Sequence, residues 1–421
     1  MTRPPHLRTS ALLLAGALAL TACGRAEPED AANDAESLSD GPATGTITVW
    51  AMGGEGENLP ELAEGFEEAN PDADVEVTPV PWDAAHDKIS TAIAGDSTPD
   101  VAMVGTTWMA EFAATGALEA TPPEFEPDAY FPALWESTVV DDTSYAVPWY
   151  GDTRLMYFRS DLAEDADAEA PTTWEETREF GQALHEEGAD QGVSVFPGGI
   201  GSWQTFLPFY WQAGGDILDG DGDFDLDNEA MVEALEYYQS LFDDGLSSDT
   251  RQDEVLEPHF VEGRIGSFYS GAFHGGLLNE VGGEDFDEQW DVAPMPEAAT
   301  TGAFAGGGNL VVFDGAGDRD SAWKLVDYLS DPGVQAEWYG IQSALPSVRE
   351  AWDLPEMAED ERLALFGEQL ETAIAPPAIP NWEQVAAVME SELELAVRGG
   401  QSAEETAASI QSQAESIGTG E

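Results

Sequence analysis

The sequence predicts an α/β protein built around a parallel sheet. Two observations carry this. Residues 46–104 run strand, helix, strand, helix, strand, an order that folds as a right-handed parallel α/β layer. The chain has 421 residues and 42% hydrophobic content, enough for a large core and about two domains.

"TITVWAM" (46–52) is rich in β-branched residues and predicts the first strand. Asn58, as N-cap, with Pro60 and Glu61 then signals a helix start, and Leu59, Leu62, Ala63 and Phe66 recur at helical spacing. The "NP" at 70–71 stops that helix. "DVEVTPV" alternates as a second strand, a second helix spans 83–94 with Ile89 and Ile93 on one face, and Gly95 ends it. "DVAMV" (100–104) is a short apolar run of the kind covered on both faces of a sheet. Further helices follow in "APTTWEETREFGQAL", in 228–242 with Met231, Leu235 and Tyr238 on a face, and in "SAWKLVDYLSDPGVQAEWYG" as a pair joined at "DP". The tail predicts helices at 383–397 and 403–417, the second opened by a Ser402/Glu405 capping box and burying Ala407, Ile410, Ala414 and Ile417.

In open parallel sheets ligands lie beyond the carboxyl ends of the strands. Three loops are expected there: "GGEGEN" (53–58), "PWD" (81–83) and "GTTW" (105–108). They carry Glu55, Glu57, Trp82, Asp83, Thr106, Thr107 and Trp108. "YAVPWYGDTRLMYF" (145–158) repeats the mixture of rings and charge, with Trp149, Tyr150, Asp152 and Arg154. An indole or phenol can cover the apolar C–H face of a pyranose while carboxylates accept its hydroxyl protons.

The formal net charge of -70, with Lys88 and Lys324 the only lysines, repels polyanions and excludes nucleic acid as a partner. Catalytic and metal motifs fail on inspection. "GGEGEN" breaks the phosphate-loop spacing at Leu59 and would meet phosphate with two glutamates. His185-Glu186 has Ala189 where a second zinc ligand is required, and "GVSVF" ends in Phe196 where a nucleophile elbow has glycine. The acidic run 219–230 has Phe224 and Ala230 in place of the calcium-loop glycine and glutamate, and reads first as a β-turn and second as the seat of an opportunistic cation. Catalytic residues, cofactor and metal are therefore each expected to be none.

The N-terminus has Arg3 and Arg8 ahead of "ALLLAGALAL", a run too short to span a bilayer and expected as the core of a signal peptide (1–22). Leu20, Thr21, Ala22 and Cys23 resemble a bacterial lipobox, which implies that Cys23, the single cysteine, is lipidated and holds the protein on the extracytoplasmic face of the cell membrane. Residues 23–45, acidic and poor in large apolar groups, predict a flexible tether.

"PDVAMVGTTWMAEFAATGAL", "YAVPWYGDTRLMYFRSDL", "FVEGRIGSFYSGAF", "AFAGGGNLVVF" and "AWKLVDYLSDPGVQAEWYG" resemble, in order and spacing, the extracellular solute-binding proteins of carbohydrate ABC importers, the maltose-binding-protein-like class in an actinobacterial lipoprotein form. The resemblance covers nearly all of 46–417. It implies a two-lobe periplasmic-binding-protein-like fold of type II, with lobe 1 at 46–151 and 308–348 and lobe 2 at 152–307 and 349–421. It further implies a monomer without enzymatic activity that captures a di- or oligosaccharide by hinge closure and delivers it to permease subunits in the membrane. Carried over as ligand-binding are Thr107, Trp108, Trp149, Tyr150, Asp152, Trp203, Phe273, Gly307, Gly308 and Trp382, beside Glu55 and Trp82 from the loops. Arg154 either fixes Asp152 or pairs with a surface acid. A surface-anchored glycoside hydrolase or lyase, and an adhesin or sensor module, stand as the rival readings.

Overall fold

The computed structural model describes residues 35–250 and 256–420. The signal-peptide segment, Cys23 and most of the expected tether lie outside them.

Strand β1 (Gly45–Met52) leads into helix α1 (Gly53–Ala69), then β2 (Ala73–Val80), α2 (Trp82–Ala94) and β3 (Val101–Gly105). β1 runs parallel to both β2 and β3, in register Gly45 with Ala73 through Met52 with Val80. The apolar run in β3 is buried along its whole length, as its composition predicts. Beyond β3 the sheet continues with three strands from distant parts of the chain. Gly306–Val312 pairs antiparallel with β3, Val147–Asp152 with Gly306–Val312, and Leu345–Pro346 closes the edge. A second sheet of three antiparallel strands has Leu155–Arg159 at its centre, flanked by Ser267–Ser270 and Trp290–Ala293. The chain passes from the first sheet to the second within residues 152–155.

The predicted helices are present. Thr173 caps Trp174–Glu186 and Asn228 caps Glu229–Asp243. Asp331 caps the second helix of the pair Arg319–Leu329 and Pro332–Gln342. The capping box of Ser402 and Glu405 is formed in both directions, and Ala407, Ile410 and Ala414 are buried, with Ile417 half-buried. In the acidic run, Asp219 accepts the main-chain N–H groups of Asp221 and Asp223 at 2.8 and 3.1 Å, and Leu218 bridges Phe224, a turn as predicted.

Two expectations are corrected. The "GGEGEN" segment is no loop: α1 begins at Gly53, Asn58 caps nothing, and Pro60 lies inside the helix. A Cβ on Gly56 would come within 2.4 Å of the Ala51 carbonyl and 2.9 Å of the Pro79 Cα. Gly56 thus lets the first turn press onto β1 and β2, where a side chain would not fit. The second correction concerns the tether. Residues 35–44 are held on the body: Leu38 N–H donates to Glu124, Ala43 N–H to Asn70 and Thr44 N–H to Ser321, and Ala43 is fully buried. Capturing main-chain donors with side-chain acceptors orders a stretch that has little apolar surface of its own.

One core gathers beneath the large sheet around Val49, Phe66, Trp149, Trp323 and Trp338. Another packs the helices of the second half around Phe206, Tyr238, Trp382 and Met389. A third runs under the small sheet and joins Phe131 and Leu345 to Phe268 and Phe366.

Candidate functional site

A cavity of about 620 Å³ opens at the carboxyl ends of β1, β2 and β3. Glu55 and Trp82 reach it from the first turns of α1 and α2, and Thr106, Thr107 and Trp108 from the 3-10 turn that follows β3. Tyr150 and Asp152 come from the end of the strand Val147–Asp152. The rest of the lining includes Arg154, Trp203, Gln204, Phe273 and Phe304, with Glu383 and Glu390 on the helix Trp382–Arg398.

Aromatic side chains give the walls their apolar faces. Trp82 and Trp108 meet edge to face with centroids 6.1 Å apart, and Trp82 is 42% exposed. Phe273, also 42% exposed, lines the same cavity, while Trp203 and Phe304 are buried behind its surface, edge-on to each other at 5.4 Å. Trp82 and Phe273, left partly uncovered in one cavity, are ready-made stacking surfaces.

Carboxylates occupy the space between the rings. Tyr150 Oη donates to Glu55 Oε1 at 2.9 Å. Burial raises the Glu55 pKa above the ordinary carboxylate range, and the charge of Asp152 adds to this, while hydrogen bonds from its own backbone, Tyr150 and Trp82 oppose it. The Tyr150 hydroxyl is raised further still, first by burial and then by the neighbouring Glu55. Arg154 grips Asp152 through Nη1 and donates through Nη2 to Gln204 Oε1 at 3.0 Å, with its guanidinium 5.3 Å from the Phe304 centroid. The alternative in which Arg154 fixes Asp152 is thus the one the structure adopts.

Gly307 explains how the strands approach here. Its φ is +131°, and a Cβ would lie 2.1 Å from the Tyr150 carbonyl oxygen, so glycine alone lets the strand Gly306–Val312 run this close to the crossover.

The structure brings Glu55, Trp82, Thr107, Trp108, Tyr150, Asp152, Trp203, Phe273 and Gly307 to the cavity wall. Three expected residues lie elsewhere. Trp149 is 1% exposed and stacks on Trp338 at 4.9 Å, on the opposite side of the strand from the cavity. Trp382 is fully buried among the C-terminal helices, edge-on to Trp203. Gly308 packs under Tyr150, where a Cβ would meet that ring at 2.7 Å. Glu57 and Asp83, from the same loops, are exposed away from the cavity. The sequence reading passed over Ile200, Gln204, Phe304, Glu383 and Glu390. For Glu383 a signal existed: once Trp382 is assigned to a helix and a core, its neighbour must face another way.

Among the described residues no group of acids, histidines or cysteines is arranged to hold a metal ion, and no helix is long and apolar enough to cross a membrane.

Comparison with known proteins agrees with this geometry. Residues 52–336 match the family described as bacterial extracellular solute-binding protein. The sugar-binding protein MalE of Xanthomonas citri superposes with a TM-score of 0.83 at 33% identity, covering 89% of this chain and 97% of that one. The diacetylchitobiose binding protein DasA of Streptomyces coelicolor is 28% identical over 75% of this chain and 76% of its own length. A maltooligosaccharide ABC transporter solute-binding lipoprotein of Streptococcus pneumoniae is 23% identical over 88% of this chain and 86% of its own. These relatives are binding proteins and not enzymes.

Proposed function

The chain belongs to the bacterial extracellular solute-binding proteins, and on that premise we propose that it captures a di- or oligosaccharide for an ABC importer, without acting on it chemically. The cavity at the strand ends carries the proposal: aromatic rings and carboxylates line it together. Ring faces cover the C–H faces of pyranoses, and Glu55 and Asp152 orient the hydroxyls.

The two lobes would comprise 46–151 with 308–348 and 152–307 with 349–421. A ligand that contacts both lobes favours their closure by the difference between its affinities for the closed and open forms. The closed monomer then docks on permease subunits in the membrane. Processing after Ala22 and lipidation of Cys23 would hold it on the extracytoplasmic face, a reading supported by the lipobox-like residues 20–23 and by the S. pneumoniae lipoprotein among its relatives.

Isothermal titration against maltotriose, diacetylchitobiose and a panel of further oligosaccharides tests the reading. Heat with at least one sugar, and no turnover of it on incubation, is expected. Heat only with peptides or ions, or appearance of hydrolysis products, would overturn it.

A further inference from the structure

We propose that Glu383 binds the ligand directly and sets the charge preference of the cleft, so that saccharides bearing an amine rank above neutral ones and acidic ones are rejected. This inference rests on the sugar-binding reading and deepens it.

Among the described residues, the charged groups lining the cavity are Glu55, Asp152, Glu383, Glu390 and one base, Arg154. That base is spent: its guanidinium pairs with Asp152 and donates to Gln204. Across the described residues every arginine is likewise paired with a carboxylate. Lys88 lies over the Trp50 ring and Lys324 reaches Ser39, both outside the cavity. An anionic ligand would therefore meet acids with no uncommitted base to receive it.

The acids themselves are not equivalent. Glu55 accepts from Tyr150, Asp152 holds Arg154, and Glu390 accepts the Gly201 main-chain N–H. Glu383 differs: its Oε1 is shielded from solvent and has no hydrogen-bond partner. It sits in the first turn of the helix Trp382–Arg398, where the helix dipole stabilises negative charge. A desolvated carboxylate oxygen without a donor is costly in a fold, and a ligand hydroxyl or ammonium entering the cavity would supply that donor. An ammonium supplies it with opposite charge, which is the stronger bond.

The test compares wild type with Glu383→Gln, an isosteric change, by calorimetry against four probes: maltotriose, diacetylchitobiose, chitobiose (its free diamine) and trigalacturonate. Wild type should bind the diamine more tightly than the diacetyl form and give no heat with the uronate. Glu383→Gln should lose about tenfold or more in affinity for whichever sugars bind, and lose most of the preference for the diamine, while its thermal unfolding midpoint is not lowered. Unchanged affinity and ranking in the variant, or tight binding of trigalacturonate, would overturn this inference and leave sugar binding intact. No heat from wild type with any sugar would instead overturn the function on which it rests.

Discussion

The strand Val147–Asp152 and the first turns of the helix Trp382–Arg398 each place a tryptophan next to the cavity in sequence, and in each the tryptophan turns away from it. In the strand, alternate residues share a face. Tyr150 and Asp152 line the cavity, and Trp149 stacks on Trp338 in the core. In the helix, residues seven apart share a face. Glu383 and Glu390 line the cavity, while Trp382, Val385 and Met389 are buried. The difference is one of period, and the lesson is shared. Residue type announces that a site is near, but the period of the element decides which neighbour belongs to it.

That comparison can be broken most forcefully at Trp149. Trp149→Ala should cost about 3–5 kcal/mol of stability, read as a lower urea midpoint. A stable variant with selectively weakened sugar binding would return Trp149 to the cleft. Asp152→Ala comes next, because it leaves Arg154 without its partner. We expect a loss of about 2–3 kcal/mol, below the figure for a fully buried pair since the Asp152 side chain is 21% exposed, together with loss of binding. Full stability would mean that Arg154 readily finds another acceptor.

Trp82→Ala sharpens the contrast from the cavity side. Trp82 is 42% exposed, so losing it and its hydrogen bond to Glu55 should shift unfolding by only about 1 kcal/mol, while sugar affinity falls by about tenfold. A marked drop in stability would make Trp82 a packing residue.

The smallest effect is expected at Glu55. Burial raises its pKa in the folded state, so across that window the folded protein binds more protons than the unfolded chain and stability falls as pH rises. Glu55→Gln should remove this component. The variant should gain on wild type as pH increases from the acid side to beyond the raised value, as followed by urea midpoints. Parallel curves would mean that the carboxylate is well solvated after all.

Much of the fold was legible because its signals are local. The β-branched run 46–52, the capped helices at 173 and 228, and the capping box at 402 each declare an element within a few residues. The antiparallel strands Gly306–Val312 and Leu345–Pro346 complete the large sheet from far along the chain, and no local pattern announces such pairing. The "GGEGEN" segment misled because glycine usually marks a loop, whereas here it gives a helix room to lie against two strands. In the site, rings at strand ends were found from sequence. The acids on the C-terminal helix were not: among 84 Asp and Glu residues only the period of the helix, once Trp382 is placed in the core, points to Glu383, and Arg154 was left between Asp152, which it takes, and a surface acid.

A crystal structure of the protein grown with the sugar that gives the most heat bears most directly on the central claim. A pyranose is expected between Trp82 or Trp108 and Phe273, with a hydroxyl or amine of the ligand on Glu383. A sugar bound outside this cavity, or seated in it with Glu383 still unpartnered, would contradict that claim.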